Sequence, residues 1–133
     1  MRPGEELIWK EKTRQIIGAF FEVYNTLRYG HLESVYRRAL YYELTDTGIP
    51  CEEEVLLSVI YKGRNVGDFR ADLIIDNTIV VEVKTGSAIH HNHVLQLANY
   101  LKSTSMEVGL VLNFGPKPTF ERFVLSRLMN QSA

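Results

Sequence analysis

At Gly48-Ile49-Pro50 the hydrophobic pattern of this chain changes period, and that change limits the architectures open to it. Before it, apolar residues recur at spacings of three and four. Ile16, Ile17, Phe20, Val23, Tyr24 and Leu27 make one helical stripe within residues 7 to 27, and Leu32, Val35, Tyr36, Ala39, Leu40 and Leu44 make a second that runs to residue 47. Tyr29-Gly30 separates the two, and Gly48 ahead of Ile49-Pro50 supplies a stop. Beyond it the period is two: Val55, Leu57, Val59 and Tyr61 alternate with Leu56, Ser58 and Ile60 up to the turn cluster Lys62-Gly63-Arg64-Asn65. Two further β-branched runs, residues 66 to 75 and 79 to 84, flank the turn Asp76-Asn77-Thr78, so an antiparallel meander is expected. After Thr85-Gly86-Ser87 the stripe Val94, Leu95, Leu97, Ala98 and Leu101 predicts a third helix, and residues 108 to 114 a buried strand closed by Gly115-Pro116-Lys117-Pro118. Residues 120 to 128 alternate at first and stripe later; a short edge strand is expected. The order α-α-β-β-β-α-β predicts an α/β fold, a mixed β-sheet flanked by helices.

The 133 residues fit one domain, with no linker-like composition and no internal repeat. With 15 Lys and Arg against 16 Asp and Glu, the chain lacks the basic excess of a protein that holds nucleic acid along a broad surface. Any such contact must be local. The neutrality is an average: residues 31 to 60 are acidic, residues 91 to 133 basic. The lone Cys51 permits no intrachain disulfide and fits a reducing compartment. The longest uncharged apolar stretches, such as residues 16 to 21 and 109 to 114, fall far short of the ~20 residues that cross a bilayer, and the first residues lack a signal-peptide core. A soluble cytoplasmic protein without membrane partners is expected.

The run Ile79-Val80-Val81-Glu82-Val83-Lys84 carries the candidate chemistry, because two opposite charges interrupt a strand otherwise suited to a core. Alternation puts Val80, Glu82 and Lys84 on one face. On the preceding strand Asp72 shares a face with Ile74 and Arg70. If Ile75 pairs with Ile79 across a three-residue turn, Asp72 lies opposite Glu82, whereas a two-residue turn would part them. The three-residue register is expected. Two carboxylates roughly 4.5 to 5.5 Å apart at Cβ repel unless a cation lies between them, and Mg²⁺ favours such hard oxygen ligands together with water and phosphate. Lys84 would stand beside the metal, placed to position or deprotonate a water or to stabilise charge on a phosphate. From these residues alone a solvated ion-pair cluster explains the pattern equally well, and a Glu-x-Lys triplet arises by chance about once in two chains of this size. His90, His91 and His93 could suggest Zn²⁺, but no Cys or further His has supporting spacing; a polar start to the third helix, near phosphates, is the expected role.

Company shifts the balance. Gly30-His31-Leu32-Glu33-Ser34-Val35-Tyr36 reads G-x-x-E-x-x-Y, and it is followed by Arg70-Ala71-Asp72, Glu82-x-Lys84, His93-x-x-Gln96-x-x-x-Tyr100 and Asn113-Phe114-Gly115. In order and spacing this closely resembles the GxxExxY family, which is assigned to the PD-(D/E)xK nuclease superfamily; the likeness runs from about residue 16 to residue 125. It implies a restriction-endonuclease-like core, α-β-β-β-α-β, with the first helix as an addition. It further implies that Asp72 and Glu82 bind Mg²⁺ (or Mn²⁺) with the backbone carbonyl of Val83, that Lys84 is the catalytic lysine, that Glu33 reaches the site as an additional acid and metal ligand, and that Gln96 and Tyr100 line it from one face of the third helix. Arg70, His93 and Tyr36 form a second tier that could meet substrate; packing against the sheet is an equal expectation for Tyr36, and pairing with a site carboxylate for Arg70. The superfamily's usual Pro-Asp is Ala71-Asp72 here.

The leading expectation is therefore a metal-dependent phosphodiesterase acting on nucleic acid, with DNA ranked ahead of RNA and a homodimer attractive for cutting both strands. The alternative from another class is a non-catalytic nucleic-acid-binding or partner-docking module on the same scaffold.

Overall fold

The two helical stripes form α1 (Pro3–Leu27) and α2 (Glu33–Asp46), in a computed structural model that describes residues 3–131, with side chains from 9 to 128. They are joined by a turn in which Arg28 and Gly30 take left-handed backbone, φ 61° and 121°. Helix α2 stops as its glycine requires: at φ 86°, Gly48 donates its N–H to the Thr45 carbonyl, and Ile49 donates to Leu44, both at 3.0 Å. This paired closure satisfies two of the orphan carbonyls of the last turn.

Five strands follow, β1 (Cys51–Tyr61), β2 (Arg64–Ile75), β3 (Ile79–Lys84), β4 (Val108–Phe114) and β5 (Pro118–Val124), with α3 (His91–Leu101) between β3 and β4 and α4 (Leu125–Gln131) at the end. They form one sheet in the order β1-β2-β3-β4-β5. The first three make the antiparallel meander, α3 carries the crossover that sets β4 parallel to β3, and β5 returns antiparallel. One core lies between α1, α2 and the sheet face bearing Leu73, Ile75, Val81, Val83, Leu110 and Leu112. A second lies under α3 on the face bearing Ile74, Val80 and Val111. The mixed sheet with flanking helices is the architecture expected from the sequence. Among the described residues no helix is long and apolar enough to cross a membrane.

Three boundaries differ from the sequence pattern. Strand β1 begins at Cys51 rather than Val55, so the acidic run Glu52-Glu53-Glu54 is part of an edge strand, where charge is well tolerated. Strand β2 starts two residues early, at Arg64. The tail contains both candidate elements in succession, β5 and then α4, with the change from strand to helix at Val124/Leu125.

Candidate active site

The site is a fork in the sheet. The expected three-residue turn is present: Ile75 pairs with Ile79, and Asp76 and Asn77 both adopt positive φ, which short polar side chains tolerate. The β2–β3 ladder runs only as far as Leu73 opposite Val81. At the next rung, carboxylates replace backbone partners. The Asp72 N–H donates to Glu82 Oε1 at 3.0 Å, and the Val83 N–H donates to Asp72 Oδ2 at 2.7 Å. On its other side Asp72 also lacks a rung, because β1–β2 pairing skips Glu54, whose φ is 52°. The strand rotates there. Leu73 and Ile75 point into the α1/α2 core, but Ala71 and Phe69, two and four residues earlier, point to the α3 side. Asp72 and Glu82 are thus brought together, while Arg70 is turned away from α3, exposed, with its Nη1 3.5 Å from the Glu54 carbonyl.

Burial dominates the electrostatics. Glu82 is 8% exposed, and removal from water together with the neighbouring Asp72 charge pushes its carboxyl up to about 8. Asp72 is raised too, chiefly by burial, against the lowering influence of the Val83 N–H, Lys84 and Arg37. Contact between the two side chains raises Glu82 further and works against the rise at Asp72.

Lys84, next on the Glu82 face, lines a small cleft with Glu82, Phe69, His93, Gln96 and Leu97. Gln96 and His93 therefore reach the site from the first turns of α3. Tyr100 lies one turn further on and stacks on Phe69, ring centroids 4.5 Å apart, so it supports the wall of the cleft that Phe69 lines. His93 is held below its ordinary range by partial burial, Lys84 and His90, and its Nδ1 is buried without a hydrogen-bond partner.

From the opposite side, Glu33 at the start of α2 comes within 3.5 Å of the Thr85 hydroxyl, just beyond Lys84. It stands at the rim. Among the described residues, no group of three or more His, Cys, Asp or Glu is arranged to hold a metal, so Glu33 does not join the carboxylate pair and the histidines form no such centre. Tyr36 is fully buried, stacks on Phe114 at 4.4 Å, donates its hydroxyl to the Arg28 carbonyl and accepts the His31 N–H at 3.2 Å. It clamps the turn that delivers Glu33 and presents no surface to a substrate. The spacing of glycine, glutamate and tyrosine in that motif thus has a mechanical reading: a left-handed turn, a site residue, and the bolt that fixes them.

One residue, Arg37, escaped the sequence reading, and one motif, Asn113-Phe114-Gly115, was quoted there without a role. Arg37, one turn after Glu33, is 16% exposed in its side chain, pairs with Glu54 at 3.4 Å and Glu53 at 3.8 Å, and contributes positive potential at Asp72. Its i, i+4 relation to Glu33 was the available signal. Asn113, aligned with Lys84 in the β3–β4 ladder, donates to the Gly86 carbonyl at 2.9 Å. Gly115 completes this latch, since a Cβ there would overlap the Gly86 oxygen, and Tyr24 donates its hydroxyl to the Gly115 carbonyl at 2.9 Å. Asn113-Phe114-Gly115 therefore fixes the loop that leaves Lys84.

A family model described as the PD-(D/E)XK nuclease superfamily matches residues 10–123. No curated protein matches. Among solved structures the chain is similar to SSO0001, with 24% identity and a TM-score of 0.55 over 74% of this chain and 56% of that one. It is also similar to an alkaline exonuclease (LHK-Exo) from Laribacter hongkongensis, with 14% identity and a TM-score of 0.47 over 74% of this chain and 58% of that one. The chain spans little more than half the length of either neighbour. The family match takes in the whole fork, from the Glu33 turn to the Asn113 latch, and the chain belongs to the PD-(D/E)XK nuclease superfamily.

Proposed function

We propose that the protein is a metal-dependent nuclease that hydrolyses phosphodiester bonds of nucleic acid, DNA in the first instance, using Mg²⁺ or Mn²⁺. The observation that carries this reading is the pairing of buried Glu82 with half-buried Asp72 at the point where the sheet opens, each carboxylate accepting a backbone N–H of the facing strand, with Lys84 on the adjoining position. The donor set fits a hard divalent cation. Two crowded carboxyls, both pushed toward their protonated forms, are a poor arrangement for stability and a good one for an ion that takes one or two carboxylates and keeps waters and phosphate oxygens.

Asp72 and Glu82 would hold the ion, with the Val83 carbonyl beside them on the same strand. When bound, such an ion polarises the phosphate and supplies a nucleophilic water at neutral pH. The chain's own groups do the rest. Lys84 brings a fixed positive charge to the scissile phosphate and orients water. Gln96 adds a donor and acceptor on the α3 side. Neutral His93 offers a polar contact to a phosphate entering the cleft. Glu33, at the rim, is placed to take up or hand on a proton. Phe69 and Tyr100 keep the wall apolar, which strengthens the electrostatic contacts inside it.

Purified protein incubated with supercoiled, linear, single-stranded and branched DNA, and with RNA, in Mg²⁺, Mn²⁺ or EDTA tests the reading. Cleavage should require metal and disappear in Lys84→Ala and Asp72→Asn. Salt-dependent binding without cleavage in any metal would support the docking-module alternative instead.

A further inference from the structure

We propose that the outer edge of β1 is a docking surface for a second copy of this chain, pairing β1 antiparallel with β1 about a two-fold axis at Ser58. The inference goes beyond the nuclease reading and does not depend on it.

Among the described residues, strand β1 is the edge of the sheet and pairs only with β2. Natural edge strands are guarded by charge, proline or distortion, because their open N–H and C=O groups are a template for another strand. Here positive φ and charge stand outside the central segment, at Glu54 on one end and Lys62 on the other; the β1–β2 register does shift between Val59 and Ile60, but the extra residue, Val66, is on β2, so the β1 side continues without an inserted residue. Residues 55 to 60, Val-Leu-Leu-Ser-Val-Ile, carry no charge and no proline, with high β-propensity throughout. Leu56 and Ile60 are 52% and 58% exposed.

The segment is complementary to itself. With Ser58 on the two-fold axis, Leu57 faces Val59 of the second copy, Leu56 faces Ile60 and Val55 faces Tyr61. Every apolar residue meets an apolar one. Direct cross-strand pairs of this kind stabilise antiparallel sheets. Shifting the axis to Leu57 would set Leu56 against Ser58 and Ile60 against Glu54, so the pattern selects one register. An interface in which the same patch serves both partners is the form a closed dimer requires, and strand addition is an established recognition mode.

Sedimentation equilibrium or light scattering on the full chain tests this. The wild type should show a mass of twice 15.3 kDa, and Leu56→Lys/Ile60→Lys, which faces like charges across the axis, should return it to the monomer mass. Leu56→Lys/Ile60→Glu, which restores opposite charges in the proposed register, should recover the dimer, so loss through misfolding is distinguished from loss of the interface. Ser58→Cys should crosslink chain to chain on oxidation. The wild type, whose lone, half-buried Cys51 lies outside residues 55 to 60, is the control. A wild type that stays monomeric up to about 100 μM, well above the Kd of a specific interface, overturns the proposal. So does a double-lysine variant that remains dimeric, or one whose only change is in nucleic-acid binding.

Discussion

Replacing Glu82 with glutamine should make the metal-free protein more stable, and increasingly so as pH rises. The folded state holds the Glu82 carboxyl at about 8, well above its ordinary 4.5, so folding takes up a proton that the unfolded chain has released. Stability from this group is fully present below about 4.5 and is lost as pH rises toward 8. At 1.36 kcal/mol per pH unit, the displacement from 4.5 to about 8 sets a ceiling of roughly 5 kcal/mol. Asp72 titrates together with Glu82, so about half of that is the expected loss for the wild type between pH 5 and pH 8. Glutamine keeps the acceptor for the Asp72 N–H, and its amide can donate to the Asp72 carboxylate without adding charge. Urea denaturation followed by far-UV circular dichroism, in EDTA at constant ionic strength, should show wild type and Glu82→Gln within ~1 kcal/mol at pH 5 and the variant ahead by ~2–3 kcal/mol at pH 8. Saturating Mg²⁺ should stabilise the wild type and leave the variant unmoved. Parallel pH profiles, or a variant destabilised at pH 8, would refute the claim that a buried, mutually repelling pair defines the site.

The same linkage predicts that apparent Mg²⁺ affinity rises with pH up to about 8 and then levels, with proton release on binding, measurable by calorimetry in buffers of different ionisation enthalpy. Lys84→Ala should lower kcat by roughly 10²- to 10³-fold with little change in melting temperature, because under the proposed function the side chain acts at the phosphate, and it belongs to neither core. Gly115→Ala should cost about 1–3 kcal/mol, read by thermal denaturation, since its methyl would overlap the Gly86 carbonyl and push the loop off its Asn113 latch. Tyr36→Phe should cost ~1 kcal/mol or more by leaving the His31 N–H and the Arg28 carbonyl without their shared partner. It should also lower cleavage by displacing Glu33.

The sheet was legible because its strands announce themselves by period and its turns by composition. Ile75 and Ile79 flank three turn-forming residues, and that count alone set Asp72 against Glu82. What the alternation could not show was the rotation of β1 and β2 at Glu54 and Asp72. A period of two assumes extended backbone throughout, and one non-glycine residue at φ 52° leaves no trace in the sequence. Arg70 was therefore placed on the wrong side. Arg37 went unseen for a related reason: its partners Glu53 and Glu54 lie in what looked like a charged connection and proved to be strand. Tyr36 shows the opposite limit. Its spacing from Glu33 was plain, but which of two roles it served depended on a clamp to backbone groups eight and five residues earlier.

The fork itself separates two demands that usually travel together. Where the β2–β3 ladder ends, the Asp72 and Val83 N–H groups depend on side-chain oxygens for their partners. The fold needs an acceptor at residues 72 and 82; under the proposed function, only catalysis needs a negative charge there. On that reading, a descendant that had given up cleavage would still be penalised for losing Asp72 or Glu82 to an apolar residue, yet could take the amide at either position freely. The identity of the acids at this fork would then be a record of chemistry, and their mere polarity a record of sheet closure.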